Sequence, residues 1–323
     1  MFDVITIGGA TRDIFFRFDD LLVAENSKSP TGLYLQIPYG AKKISKDTFY
    51  SYGGGAVNTA VCFSRLGLKP ASVCNIGKEG TGSLVIDYLK NEKVATMLVR
   101  RDSTLHTGLS IFILGKDSEH TGFLERGANS HLLIERISKL KKTKWFYITS
   151  LTGSSAKILP EIFSFAARHR IKIAFNPGST QLAEGYHGLK KYIEQSDVLI
   201  LNREEAESLT FSRDKKNYAS EKQLLSAVQN MGAKISVVTE DGKGSYARGE
   251  GKDWHVRAFS TKVVDTTGAG DSYGATFVAF LIKGYTIRQT MTAAAVNSAS
   301  VVSKLGAGDG LLSYNELKGS KWL

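Results

Sequence analysis

The sequence is poor in cysteine and proline and has no long apolar run, and each shortage removes a class of protein. Two cysteines in 323 residues exclude a small scaffold stapled by disulfides. Cys62 and Cys74 lie inside the apolar stretches AVCFSRL and ASVCNIG, which suits buried free thiols in a reducing compartment; a bridge between them is the alternative. The longest apolar runs, such as Phe277 to Ile282, fall far short of the ~20 residues that span a bilayer. The N-terminus, MFDVITIGGA, has neither a basic n-region nor a long apolar h-region, so it reads as a strand entering a glycine turn. The expectation is a cytoplasmic protein with no membrane partner.

Several reaction classes lack their signatures. There is no G-x-x-x-x-G-K-S/T and no G-x-G-x-x-G after the first strand, which disfavours a P-loop and a standard dinucleotide fold. Six histidines are scattered without H-E-x-x-H or Cys/His ligand spacing, so a zinc site is unsupported.

What the chain does have is 42% hydrophobic and 23% charged residues with a net charge of +11, the balance of a globular protein with a real core. The basic residues come in small scattered groups, such as Lys42, Lys43 and Lys46. No stripe interleaves them with aromatics, so they read as solvated surface and not as a nucleic-acid platform. Strand-like and helix-like patterns alternate, which predicts an α/β fold with a central mostly parallel sheet flanked by helices. Strands are expected at Phe2–Ile7, Ala71–Ile76, Trp145–Thr149, Ile171–Phe175, Val198–Leu201 and Ile235–Thr239. Helices are expected at Ala56–Leu66, Ala269–Lys283 and Ile287–Lys304. Residues 13–50 and 95–124 carry alternating β patterns (IFFRF, LYLQI, TMLVR, GLSIFIL). They read as a small β layer over a cleft, a lid on a single domain of residues 1–323. An extra edge of the main sheet is the alternative.

The strongest chemical signal is Asp265-Thr266-Thr267-Gly268-Ala269-Gly270-Asp271. A strand, TKVV, is expected to end at Asp265, and a helix to begin near Ala269. The amides of Gly268, Ala269 and Gly270 then lack intrahelical partners and form an anion site backed by the helix dipole. Asp271, beside that site, can accept a proton from a hydroxyl that attacks a phosphoryl group. The plain alternative is an acid favoured in a first helical turn. A second Gly306-Ala307-Gly308-Asp309 follows a helix and reads as a C-cap and turn.

The second signal is Gly53-Gly54-Gly55-Ala56-Val57-Asn58. Glycines ahead of a helix let backbone approach a ligand, and Asn58 offers a donor and an acceptor to a polyol. The alternative is a flexible loop before a helix.

Together these motifs resemble the ribokinase-like, or PfkB, family of carbohydrate and nucleoside kinases. Its N-terminal signature is matched by Gly53, Gly54, Asn58, Gly67 and Gly77, and its C-terminal signature by Asp265 through Asp271. The resemblance runs from the first strand to Ala307 and implies a ribokinase-like fold with a small β-sheet lid. It implies ATP and Mg²⁺ as cosubstrate and metal, a small sugar or nucleoside as acceptor, and a homodimer whose lids pair. A sugar of the ribose or fructose kind is the first expectation and a nucleoside the second. Lid aromatics, Phe15, Phe16, Phe18, Tyr34 and Phe112, could stack on a base or form core. A non-catalytic sugar or nucleotide sensor on the same fold is the reading from another class.

Residue by residue, the resemblance implies that Asp13, Gly53, Gly54, Asn58 and Asn129 (in Gly127-Ala128-Asn129) line the substrate. Asn202 and Glu205 match the Asn-x-x-Glu motif that positions Mg²⁺ and ATP phosphates, often through water; a strand end with a capped helix is the plain reading. Thr239, Gly242 and Gly244 match the ATP loop, and Asn297 the adenine side. Asp265 and Thr267 match positions that help bind a monovalent cation, such as K⁺, in several members. Glu79, Asp241 and Thr276 depart from the family pattern; they put substrate and nucleotide preference in doubt while leaving the reaction intact.

Overall fold

The computed structural model describes residues 1–26, 28, 32–115, 120–134 and 137–320. Eight strands form the main sheet: β1 (Phe2–Ile7), β6 (Pro70–Val73), β11 (Thr143–Ile148), β12 (Lys172–Phe175), β13 (Val198–Asn202), β14 (Ile235–Glu240), β15 (Gly244–Gly249) and β16 (Lys252–Val256). Their spatial order is β16-β15-β14-β13-β12-β11-β1-β6, parallel from β14 to β6 and antiparallel at β15 and β16.

Neighbouring residues in these strands serve opposite faces, because side chains alternate along a strand. Val4, Tyr147, Ala174 and Ile200 pack toward α1 (Gly55–Arg65), α2 (Gly80–Asn91), α8 (Ala269–Ile282) and α9 (Ile287–Val302). Ile5, Phe146, Phe175 and Leu199 pack toward α3 (Leu159–His169), α5 (Gly185–Glu194), α6 (Arg203–Asp214) and α7 (Glu221–Gln229). Burial on both faces is why these strands read as nearly continuous apolar runs. Two short helices, α4 (Ser179–Leu182) and α10 (Tyr314–Gly319), complete the described set.

A separate four-stranded sheet, in order β10-β9-β2-β5, is built from β2 (Thr11–Arg17), β5 (Asp47–Gly53), β9 (Gly108–Leu114) and β10 (His120–Glu125). It is smaller than expected from sequence. LYLQI lies in β4 (Leu33–Gln36), which pairs only with β3 (Leu22–Glu25) in its own two-stranded unit. TMLVR lies outside the layer altogether: Leu98 and Val99 pack on the main cores, so its alternation reflects the edge of the main body.

Two strand assignments also change. The run 71–76 divides at Cys74 into β6 and β7 (Asn75–Gly77), and β7 pairs with β8 (Arg100–Asp102) in a separate sheet. TKVV forms no strand, because no strand lies beside it. The amides of Val264 and Asp265 instead donate to the Val302 carbonyl at 2.7 and 3.2 Å. Cys62 and Cys74 are free and buried, and burial pushes both thiols up to about 12. No described helix is long and apolar enough to cross a membrane.

Candidate active site

The first turns of α1 and α8 meet at Asp271, and Asp13 of the small sheet lies near Asp265 in the turn that leads into α8. The helix α8 starts because Gly268 supplies a left-handed N-cap, φ 79°, that a residue with a side chain adopts only under strain. A Cβ there would also collide with Ala307. The Ala269 amide donates to the Thr266 carbonyl at 3.2 Å, so it is not free for an anion as expected. The amides of Gly268 and Gly270 have no acceptor among the described residues, and a Cβ on Gly270 would face open space. Two donors with positive helix dipole behind them therefore remain.

Asp271 is half-buried. Burial pushes its carboxyl above the usual carboxylate range, while Asn58 pulls it partly back. Asn58 Nδ2 donates to Asp271 Oδ2 at 2.8 Å, joining the two motifs across 213 residues of sequence. Asn58 was expected on the substrate; it is bound to the carboxylate. Its helix begins at Gly54, φ 90°, where a Cβ would strike the Gly9 backbone.

Asp13 in β2 is 3% exposed, and its Oδ1 accepts from Thr11 Oγ1 at 2.9 Å. Burial raises its carboxyl, hydrogen bonds from Ser110 and Thr11 lower it, and the nearby Asp265 raises it again. A Cβ on Gly53 would collide with this carboxylate, so Gly53 makes room for Asp13. Thr11 and Ser110 were missed in the sequence, although Ser110 sits opposite Asp13 in the β2–β9 register.

Asp265 is 2% exposed and organises the turn between the sheets. Its Oδ1 accepts from the Thr267 amide (2.9 Å) and hydroxyl (2.7 Å), and its Oδ2 from the Gly306 amide (2.8 Å). The two residues expected at a monovalent cation thus spend these groups on each other and on the second Gly-Ala-Gly-Asp.

The residues expected at the nucleotide fall into two groups. Asn202 and Thr239 are register neighbours at the ends of β13 and β14. Asn202 and Glu205 form a reciprocal cap on α6: the Glu205 amide donates to Asn202 Oδ1 and the Asn202 amide to Glu205 Oε2, both at 2.8 Å. Glu205 Oε1 takes no protein donor, and burial raises this carboxyl. Gly242 lies in an exposed turn with open space before it, whereas Gly244, φ 105°, is required because a Cβ would collide with the Val256 carbonyl. Glu240 braces this turn by accepting from Arg203 (2.8 Å) and Lys243 (2.6 Å), a pairing not read from the sequence.

Two expected contacts are spent inside the protein. Asn297 is fully buried, donating to Thr276 Oγ1 at 2.8 Å and accepting from the Leu312 amide at 2.9 Å, so its amide ties α9 to α8. Asn129 bonds both the amide and the carbonyl of Ala10 at 2.8 Å, which fixes the turn between β1 and β2. Phe15 and Phe112 stack on each other at 4.8 Å.

The arrangement offers a partly buried, buttressed carboxylate beside two free amides at a helix start. That pairing can remove a proton from a hydroxyl while holding the anion the hydroxyl attacks.

Known proteins resemble this chain in sequence and in fold. The family model described as pfkB family carbohydrate kinase matches residues 31–313. The ribokinase of Haemophilus influenzae is 25% identical over 279 residues, covering 84% of this chain and 89% of that one. The 5-dehydro-2-deoxygluconokinase 1 of Bacillus cereus is 29% identical over 291 residues, covering 84% and 86%. The structure of Arabidopsis thaliana ribokinase complexed with ribose and ATP superposes with a TM-score of 0.80 at 19% identity, covering 98% and 97%, and shows the shared fold.

Proposed function

This chain belongs to the pfkB family of carbohydrate kinases, and we propose that it moves the γ-phosphoryl of ATP to a hydroxyl of a small sugar. The observation that carries this reading is the Asn58–Asp271 bond of 2.8 Å beside the free amides of Gly268 and Gly270. The acceptor oxygen attacks the γ-phosphorus, its proton passes to Asp271, and the bond to the β,γ-bridging oxygen breaks with its electron pair leaving on ADP. The two amides hold the charge on the transferred group. Asn58 turns the Asp271 carboxylate toward the acceptor. Asp13, with Thr11 and Ser110 holding it, takes acceptor hydroxyls.

Thr239, Gly242 and the Arg203–Glu240–Lys243 brace border the nucleotide. Glu205 Oε1, which the helix cap leaves unused, and Asn202 would hold Mg²⁺ through water. Mg²⁺ would neutralise phosphate charge as the bond to the leaving oxygen lengthens. The four-stranded sheet serves as the lid, and its outer face, with Ile14, Phe16, Ile111 and Phe123, pairs with a second copy. A nucleoside acceptor has less support, since the stacked faces of Phe15 and Phe112 are already occupied by each other.

An ADP-release screen with Mg·ATP across sugars, sugar phosphates and nucleosides tests the proposal. Turnover on a small sugar, at least about tenfold above nucleosides, a factor worth ~1.4 kcal/mol, is expected. Preferential turnover on a nucleoside moves the acceptor class; ligand binding with no ADP release across the whole set would favour the sensor.

A further inference from the structure

Beside Gly274, three residues along α8 from Asp271, the fold buries a hydroxyl that the reaction just described does not use. Tyr147, in β11, is fully buried, and its hydroxyl has no hydrogen-bond partner among the described residues. A buried tyrosine normally finds one, so the orphan needs a cause. Its ring stands between α1, where Phe63 meets it edge-on at 5.6 Å, and α8, where its hydroxyl occupies the place a Cβ would take on Gly274. Gly274 follows Asp271 by one helical turn on the same side of α8.

The groups facing this region are few. From α1 come Asn58 and Cys62, and on α8 itself the Ser272 hydroxyl is likewise buried without a partner among the described residues; Asp265 and Asp13 stand further off, in the turn before α8 and in β2. Asn58 is already bonded to Asp271 Oδ2. Cys62 holds its proton and is engaged with Thr276 and Asn297. Asp265 and Asp13 are satisfied by Thr267, Gly306, Thr11 and Ser110. Asp271 Oδ1 takes no protein donor, and Asp271 heads the neighbouring charges that act on the Tyr147 hydroxyl. An acceptor short of a donor and a donor short of an acceptor thus share one side of α8.

We infer that Tyr147 is a positioning residue for Asp271, its O–H dipole supporting the ionised carboxylate from beneath α8 and so setting the lower pH bound of activity. The inference rests on the reading of Asp271 as the base. A hydroxyl dipole near a carboxylate, with its hydrogen turned to the charge, favours the charged form and lowers its pKa. Tyr147→Phe keeps the ring and removes the dipole, so Asp271 should hold its proton to higher pH.

The test is the pH profile of kcat/KM for wild type, Tyr147→Phe and Gly274→Ala, whose added methyl displaces the hydroxyl without touching the ring's chemistry. In both variants the acid limb should move up by roughly half to one pH unit, less than the ~1–2 units of a full hydrogen bond to a charge because the hydroxyl acts through its dipole. The loss should be greatest at the acidic end, with KM for ATP unchanged. An acid limb that stays in place in both variants, or an equal loss at every pH, overturns the inference while leaving Asp271 as base. Wild-type turnover in Asp271→Asn overturns both readings, and the two failures are thereby told apart.

Discussion

The chain contains Gly-Ala-Gly-Asp twice, at Gly268–Asp271 and Gly306–Asp309, and the fold treats the two copies in opposite ways. Both open on a glycine with φ 79°. In the first copy that glycine caps a helix of 14 residues, two amides stay free, and the aspartate is half-buried against Asn58. In the second copy the opening amide is consumed by Asp265, the Gly308 carbonyl accepts from Arg65 at 2.8 Å, and Asp309 is exposed. Ala307 of the second copy packs where a Cβ on Gly268 would go, so one copy braces the other. Identical residues become a site or a support according to which backbone groups the surroundings leave unpaired.

The comparison breaks most sharply at the two aspartates. Asp271→Asn should lower turnover by about 10²–10⁴, the usual worth of a general base, with ATP binding largely retained in a calorimetric titration. Asp309→Asn, an exposed change far from any such role, should stay within about ±0.5 kcal/mol in stability and keep its turnover. Similar losses in both would erase the distinction.

A smaller effect is expected at the residue that links the copies. Asp265→Ala leaves the Thr267 and Gly306 amides without their acceptor. It should cost about 2–4 kcal/mol by denaturant unfolding, from buried donors left unmade beside a lost charge.

The smallest effect is one of pH. Burial holds the Asp271 carboxyl above its unfolded value, so the folded state binds that proton more readily than the unfolded chain. This contribution to stability is complete below the unfolded value of about 3.9 and is lost as pH rises through the folded value. Asparagine carries no charge to bury, so Asp271→Asn should melt above wild type at neutral pH. The gap should close toward the acidic end, as followed by thermal melts across pH.

Much of this was legible beforehand. Runs such as VLIL and ISVV mark strands buried on both faces, and Gly67 and Gly268 mark helix ends through their backbone alone. Pairings between distant residues left no local trace. Asn58 faces Asp271 only because α1 and α8 lie side by side on one face of the sheet. Asn297 in AVNSASVV has the same local pattern whether a helix face meets solvent or core; burial against Thr276 and Leu312 decided it. The division at Cys74 was hidden for a similar reason, since VCNI is buried throughout, its lone polar residue Asn75 included, while the chain changes sheets within it.

The most direct test of the central claim is a crystal structure with ADP, Mg²⁺, aluminium fluoride and the acceptor identified by the ADP-release screen. The account predicts fluoride at about 3 Å, ordinary hydrogen-bond reach, from the Gly268 and Gly270 amides, with the Asp271 carboxylate facing the acceptor hydroxyl. A metallofluoride bound away from those amides, or an acceptor hydroxyl turned from Asp271, would contradict it.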